Sequence, residues 1–199
     1  FWFTEVQNCY NLGQIAGDGN YPAGGIIGMI GSSNSNCSLC YNFGQVSGAS
    51  AAGIALGSTS GQVINKCYNA GKIIGTNSSN YYCSSGIFSS EHPGPTYSCT
   101  ITDNANIGDI VGTGNSIRGE ITALKSEGSV DSTNVYMTKE ENAPANGATA
   151  KNQSEIDEIM SIQNFVNSMN SYVTTNNADS TKTRLKTWKV ENGFPVFTD

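Results

Sequence analysis

The sequence predicts a mainly β protein, a β-solenoid of the parallel β-helix type that is followed by a small helix-plus-hairpin module. One phrase of eight residues recurs at intervals of 31 and 27 residues, and a second phrase of small residues follows each copy. Near the C-terminus, apolar residues recur at three- and four-residue steps, which is typical of a helix. Repeats of this length indicate units that bury their apolar faces only by stacking on one another.

The first phrase occurs three times with little change and a fourth time in degraded form. It reads Asn-Cys-Tyr-Asn-Leu-Gly-Gln-Ile at 8–15, Leu-Cys-Tyr-Asn-Phe-Gly-Gln-Val at 39–46 and Lys-Cys-Tyr-Asn-Ala-Gly-Lys-Ile at 66–73. The fourth copy, at 104–110, reads Asn-Ala-Asn-Ile-Gly-Asp-Ile. Equivalent positions of the copies are therefore predicted to stack along one axis.

Asparagine and glycine are the two residues of the phrase that never change. They are Asn11, Asn42, Asn69 and Asn106, with Gly13, Gly44, Gly71 and Gly108. Asn-x-Gly is typical of turns, because glycine accepts positive φ and asparagine bonds nearby backbone. Stacked about 4.8 Å apart, the amides could form a hydrogen-bonded ladder. The ladder would avoid the ~1–3 kcal/mol that a buried unpaired polar group costs.

Three of the six cysteines hold the same place in the phrase. They are Cys9, Cys40 and Cys67. We predict that they stack as buried thiols, since buried cysteine usually behaves as a small apolar residue. Cys37 and Cys40 form Cys-Ser-Leu-Cys, but no second pair follows at zinc-ribbon spacing, so neither a metal nor a cofactor is predicted. Cys83 and Cys99 flank a loop and are the pair that could form a disulfide.

Tyrosine follows each of these cysteines, as Tyr10, Tyr41 and Tyr68. We interpret the three rings as a structural ladder, because stacked aromatic residues stabilise a sheet without any ligand. In the alternative, they face outward as a stripe that contacts sugar rings or a peptide.

The solenoid is predicted to span residues 1–137, in about four coils with extra strands after the fourth. The second phrase, with copies at 23–28, 51–56 and 84–89, is expected to form a second strand in each coil. Residues 1–7 are expected to hold the first strand and apolar cover for the open end, whose strand edge otherwise invites aggregation.

Three C-terminal features predict a separate module. Residues 138–153 are polar and carry Pro and Gly, which indicates a loop or linker. An amphipathic helix is predicted over 154–173, with Ser154 as its N-cap. Asn192-Gly193 then predicts a hairpin. The module, residues 154–199, is expected to cap the C-terminal end of the solenoid by burying Trp188 or Phe194.

Composition excludes several classes of partner. The net charge is −6 and the ten Lys and Arg residues form no cluster, which argues against binding to nucleic acid or to an anionic membrane. No apolar run reaches the ~18 residues of a membrane span. The chain opens on Phe1-Trp2-Phe3 without a leader, so we expect a fragment of a longer, extracellular protein whose leader and surface anchor lie elsewhere.

No catalytic motif outweighs a structural interpretation. His92 is the sole histidine, and neither His-Glu-x-x-His nor Gly-x-Ser-x-Gly occurs. The enzymatic alternative is a polysaccharide-cleaving site built from two of the acids Asp103, Asp109, Glu120 and Asp131, because glycoside hydrolysis needs carboxyls about 5–9.5 Å apart. We predict that the chain is not an enzyme.

The paired phrases closely resemble the GLUG-motif repeats of bacterial cell-surface proteins, over roughly residues 5–112. The stretch 165–170, followed by Trp188 and 192–197, is similar to the closing segment of such arrays. The resemblance implies an adhesin-like or stalk-like surface module that contacts host or matrix glycans or proteins. It also implies an alternative role as an accessory region of an IgA-cleaving surface peptidase. Whether the fragment self-associates stays open.

Overall fold

The computed structural model describes the chain in two compact units, Phe1–Lys151 and Asn152–Asp199. The residues outside the description are 1–4, 79–81, 91–97, 114–116, 120, 124–128, 134–135, 138–148, 151–161, 193 and 199, together with the side chains of 117, 129–133, 136–137, 149–150, 162, 165 and 194. The predicted apolar cover at 1–4 and the predicted N-cap Ser154 lie outside the described residues.

The first unit is a β-solenoid in which each coil consists of five short strands. Coil one contains β1 (Glu5–Gln7), β2 (Tyr10–Asn11), β3 (Ile15–Ala16), β4 (Ala23–Gly24) and β5 (Ile27–Ile30). Coil two contains β6 (Asn36–Ser38), β7 (Tyr41–Asn42), β8 (Val46–Gly48), β9 (Ala51–Ala52) and β10 (Ala55–Gly57). Coil three contains β11 (Gln62–Asn65), β12 (Tyr68–Asn69), β13 (Ile73–Gly75), β14 (Cys83–Ser85) and β15 (Phe88–Ser90). Coil four contains β16 (Ser98–Thr102), β17 (Ala105–Asn106), β18 (Ile110–Gly112), β19 (Ile117–Gly119) and β20 (Thr122–Ala123).

Strands at the same position in successive coils pair in parallel and form five sheets that run along the solenoid. The first runs β1-β6-β11-β16 and continues into β21 (Ser129–Thr133). The second runs β2-β7-β12-β17 and continues into β22 (Tyr136–Met137) and β23 (Thr149–Ala150). The other three run β3-β8-β13-β18, β4-β9-β14-β19 and β5-β10-β15-β20. This confirms the predicted stacked, parallel architecture.

Two details differ from the sequence prediction. The second phrase forms two strands in each of coils one to three, because its central Gly and Ile bend the chain between them, as between β4 and β5. The short strand β23 lies inside the segment that was predicted as a linker, where it adds one more parallel rung to β22.

The described residues of the solenoid interior form two apolar clusters. The larger joins aliphatic and thiol side chains with one aromatic ring from successive coils: Ile30, Cys37, Cys40, Ile54, Ala55, Ile64, Cys67, Ile87, Phe88, Cys99, Ile101 and Ile121. The smaller consists of Ala23, Val46, Ala51, Ile73 and Ile110. Each coil is too thin to bury these residues alone, so the core exists only between neighbouring coils.

A bend with a left-handed residue separates the first two strands of every coil. The residues are Asn8, Leu39, Lys66 and Asp103, with φ between 52° and 56°. Left-handed backbone costs non-glycine residues roughly 1–2 kcal/mol each. Each of these residues directly precedes the position of the repeat cysteine, so the bend is part of the repeat.

The second unit contains one described helix and a hairpin. Helix α1 (Ile162–Ala178) buries Val166, Met169 and Val173 on one side. Strands β24 (Trp188–Glu191) and β25 (Phe194–Phe197) pair antiparallel around a two-residue turn in which Asn192 has φ 54°. The helix and the Asn-Gly hairpin are therefore confirmed.

The helix ends five residues later than the predicted Val173. Asn177 forms two hydrogen bonds of 2.8 Å with the backbone of Leu185, and Asn176 donates to the Thr183 carbonyl at 2.8 Å. These contacts with the following loop stabilise another helical turn. Apolar periodicity does not predict that turn, because the contacts are made by polar side chains. Nothing long and apolar enough to cross a membrane is found among the described helical residues.

Candidate functional site

The asparagines of the repeat form a continuous hydrogen-bonded column. Asn11 donates to Asn42 at 2.8 Å, Asn42 to Asn69 at 2.8 Å, and Asn69 to Asn106 at 2.7 Å. Asn42, Asn69 and Asn106 are fully buried. All the amides point the same way along the axis, so each coil presents a donor to the next.

The second amide hydrogen of each asparagine stabilises the turn in which that asparagine lies. It binds the carbonyl two residues later, at 2.9 Å in Asn11, 2.8 Å in Asn42, 2.9 Å in Asn69 and 3.0 Å in Asn106. The asparagine therefore does two things at once, since it shapes the turn and joins neighbouring coils. That double use explains why no other residue replaces it in the four copies.

Close approach, and not positive φ, requires glycine at 44, 71 and 108, whereas a Cβ on Gly13 would lie 3.6 Å from the Asn11 side-chain oxygen, an ordinary contact. Among the described glycines, only Gly19 and Gly61 have positive φ. The positive φ that the Asn-x-Gly pattern predicted for the glycines of the phrase is therefore wrong. A Cβ on Gly71 would lie 2.0 Å from the carbonyl oxygen of Gly44, and one on Gly44 would lie 1.8 Å from that of Gly13. The same holds for Gly108, whose Cβ would lie 2.1 Å from the oxygen of Gly71.

The second phrase supplies glycines that meet the asparagine column from the other side. A Cβ on Gly53 would lie 2.5 Å from the Asn69 amide group, and one on Gly25 would lie 2.9 Å from that of Asn42. The two phrases therefore pack against each other across the interior, and both are needed to build the column.

The tyrosine column is largely interior. Tyr10 and Tyr41 stack with ring centroids 5.4 Å apart and planes 6° apart, while Phe43 contacts both Tyr41 and Tyr68. Tyr41 is 0% and Tyr68 4% exposed, whereas Tyr10 is 42% exposed. Burial, with a smaller contribution from Tyr10, raises the pKa of Tyr41. The outward stripe of three rings is therefore wrong, because only Tyr10 offers its ring to solvent.

The cysteines of the repeat hold the bend that precedes them. The thiols of Cys9, Cys40 and Cys67 lie 3.2–3.4 Å from the carbonyl oxygen two residues earlier in the chain. Cys40 and Cys67 also approach a carbonyl of the preceding coil, those of Val6 at 3.9 Å and Cys37 at 3.7 Å. The thiol thus links the bend to the coil beneath it.

None of the six cysteines forms a disulfide. The suggested pair Cys83 and Cys99 is wrong, since Cys83 lies in the fourth sheet and Cys99 in the first. Burial raises the pKa of Cys99 to about 12.

A cluster of three thiols was missed by sequence reasoning. The sulfur atoms of Cys37, Cys40 and Cys67 all lie within 4.8 Å of one another, and all three residues are fully buried. Burial opposes ionisation of Cys67, but hydrogen bonds from Cys37 and Cys40 bring its pKa below the ordinary thiol value. The contacts with Cys40 and Cys67 raise the pKa of Cys37. Cys37 is outside the repeated phrase, so only the stacking of coils two and three could show this group.

The acids of the enzymatic alternative are only partly described. Asp103 lies half-buried at the bend between β16 and β17, and Asp109 is exposed between β17 and β18. Asp131 lies in β21, but its side chain is outside the described part, as are Glu120 and His92. A carboxyl pair therefore stays an untested alternative to the predicted non-enzymatic role.

Comparison with known proteins supports the fold. A crystal structure of a protein from Bacteroides ovatus, described as a putative immunoglobulin A1 protease, is similar to this chain with a TM-score of 0.62 at 22% identity. The likeness covers 97% of this chain, which spans 57% of the length of that protein. No family model and no curated protein matches the sequence. The fold is therefore one that a solved bacterial structure shares, while the resemblance to GLUG repeats stays a prediction.

Proposed function

We propose that this chain is a non-catalytic, extracellular repeat module of a bacterial surface protein, where it acts as a rigid scaffold or stalk. The observation that carries the proposal is the asparagine column, in which the most repeated polar residues all hold coils together. A column in which each coil holds the next by the same contact stiffens an array of coils, which suits a scaffold or stalk.

We further propose that the module contacts host or matrix glycans or proteins through the surface of coil one. Large apolar side chains are exposed there: Tyr10, Leu12, Tyr21 and Met29. Tyr21 is 66% exposed and Tyr10 42%, and tyrosine offers both an apolar face and a hydroxyl to a sugar or peptide.

The test is a binding screen of the 199-residue chain on glycan arrays and on immobilised matrix proteins. Binding that falls at least tenfold in Tyr10→Ala or Tyr21→Ala would support the adhesive role. Val63→Ala is the matched control, because Val63 is exposed on coil three. A blank screen with a folded chain would remove adhesion and leave a spacer.

The second candidate is an accessory region of a surface peptidase, favoured by the likeness to the Bacteroides ovatus protein. This role predicts that the chain binds immunoglobulin A1 without cleaving it. Surface plasmon resonance with immunoglobulin A1 tests binding, and gel electrophoresis of the antibody afterwards tests whether it has been cleaved. A His-Glu-x-x-His segment elsewhere in the full open reading frame would strengthen this candidate, and failure to bind the antibody would count against it.

A further inference from the structure

The thiol cluster of Cys37, Cys40 and Cys67 joins two coils in the centre of the apolar core. Cys37 lies in β6 and Cys40 follows it in coil two, while Cys67 comes from coil three. The three sulfur atoms lie within 4.8 Å of one another. Their surroundings in the larger core cluster are Ile, Ala and Phe side chains and the thiol of Cys99, with Val6 and Cys9 among the partly buried residues packed against it.

The fold itself does not explain why Cys37 is a cysteine. Its equivalents in the first sheet are Val6, Ile64 and Ile101, which are all aliphatic. Cys40 and Cys67 have a structural task at the bend, whereas the Cys37 sulfur faces those two thiols. The third sulfur is therefore an addition that a simple apolar column does not need.

The number of sulfur atoms restricts what the cluster can hold. A structural zinc ion takes four protein ligands. Cys9 is the remaining thiol of the column, but it stacks below Cys40 and so lies about two strand spacings, ~10 Å, from Cys67. One ion cannot bind both, which leaves a three-sulfur site.

The charge of the surroundings restricts it further. The described side chains of the larger core cluster that pack around the three thiols are apolar. A net charge buried among apolar side chains is strongly unfavourable. Three thiolates around a monovalent or divalent ion would leave negative charge in the core, whereas three thiolates around a trivalent centre are neutral.

We propose that Cys37, Cys40 and Cys67 form a binding site for one trivalent thiophilic metalloid, with arsenite as the representative ligand. The reaction replaces three As–OH bonds of arsenous acid and three S–H bonds by three As–S bonds, and it releases three water molecules. Arsenic stays trivalent, no electron is transferred, and the product in the core carries no charge.

Binding would also tie coil two to coil three, because the ligands come from both. A ligand that binds only the folded state raises the unfolding temperature by mass action. The sulfur atoms are fully buried, so the site is best loaded while the chain folds around it.

The test refolds the reduced 199-residue chain with equimolar arsenite and a phosphine reductant, which does not compete as a thiol. Native mass spectrometry should show the mass of one arsenic atom minus three hydrogens, and arsenic-edge absorption should show three sulfur neighbours. The unfolding temperature should rise with arsenite concentration.

Two variants make the outcome specific. Cys37→Val, which places in the column the residue found at Val6, should lose the bound arsenic and the thermal shift while still folding. Cys99→Ala removes a buried thiol outside the cluster and should keep both. No stoichiometric arsenic after refolding, equal binding by Cys37→Val, two sulfur neighbours, or displacement by equimolar copper(I) would each overturn the proposal.

Discussion

Asn104 in coil four takes over the contacts that Cys67 makes in coil three. The Asn104 amide donates to Thr102 and Ile64 carbonyls, both at 2.9 Å. The Cys67 thiol approaches the equivalent carbonyls of Asn65 and Cys37 at 3.3 and 3.7 Å. Asn104 also accepts a 2.7 Å hydrogen bond from the Cys67 backbone N–H, so the asparagine is a stronger substitute for the thiol.

We therefore expect Asn104→Cys to destabilise the chain less than Asn104→Ala. The cysteine can reach both carbonyls again, but it leaves the Cys67 N–H without its acceptor, at a cost of about 1–3 kcal/mol. The alanine loses every contact. Urea denaturation of the two variants measures the difference, and equal losses would show that the side-chain contacts at the bend do not matter.

Asn69→Ala should be among the most damaging single changes in the solenoid. It removes the acceptor of Asn42 and the donor to Asn106 and Gly71, all in a buried position. With each buried group that loses its partner costing ~1–3 kcal/mol, the free energy of unfolding should fall by at least about 3 kcal/mol. Asn11→Ala is the milder control, since Asn11 is only partly buried and takes part in one hydrogen bond of the column, whereas Asn69 takes part in two. A smaller effect at Asn69 than at Asn11 would contradict the cooperative column.

Gly71→Ala and Gly13→Ala separate close approach from turn conformation. The alanine Cβ at 71 would lie 2.0 Å from the Gly44 carbonyl oxygen, whereas at 13 it would lie 3.6 Å from the Asn11 side-chain oxygen. We expect Gly71→Ala to cost at least the ~1–3 kcal/mol of an overpacked core and Gly13→Ala almost nothing. Chemical denaturation measures the stability of both variants. Similar losses would show that the turn conformation, and not close approach, requires glycine.

Stability should fall at alkaline pH because of the buried thiols. Burial raises the pKa of Cys99 from 9.0 to about 12. Between these values the unfolded chain has released the proton and the folded chain has not, so the free energy of unfolding decreases as pH rises. The slope from one such thiol approaches ~1.4 kcal/mol per pH unit. Urea midpoints from pH 8 to 11 should fall less steeply in Cys99→Ala, and an unchanged slope would refute this role for Cys99.

Asn170→Ala should loosen the second unit. Its side chain donates to the Trp188 carbonyl and accepts from the Trp188 N–H, both at 2.8 Å. Loss of the pair should cost about 2 kcal/mol. In a Trp2→Phe background the fluorescence of Trp188, which is 2% exposed, should shift to the red. Asn167→Ala, an exposed change on the same helix, should leave the spectrum unchanged; a shift in that variant would mean that the helix as a whole is sensitive.

Which residues share a column follows from the repeated phrase alone. Asn11, Asn42 and Asn69 recur in one phrase with the same neighbours, and a repeated unit with an uncovered apolar face can be buried only by its own copies. The helix and the Asn192 turn could also be predicted, because apolar periodicity and turn chemistry depend only on residues close together in the sequence.

The contacts between the columns, in contrast, depend on how the coils stack. The need for glycine at Gly71 comes from a carbonyl of the neighbouring coil, and the meeting of Cys37 with Cys67 depends on residues outside the repeated phrase. The later end of α1 likewise depends on the loop that Asn176 and Asn177 bind. Such contacts join residues far apart in the chain, so they exist only once the coils are stacked or the loop has folded back.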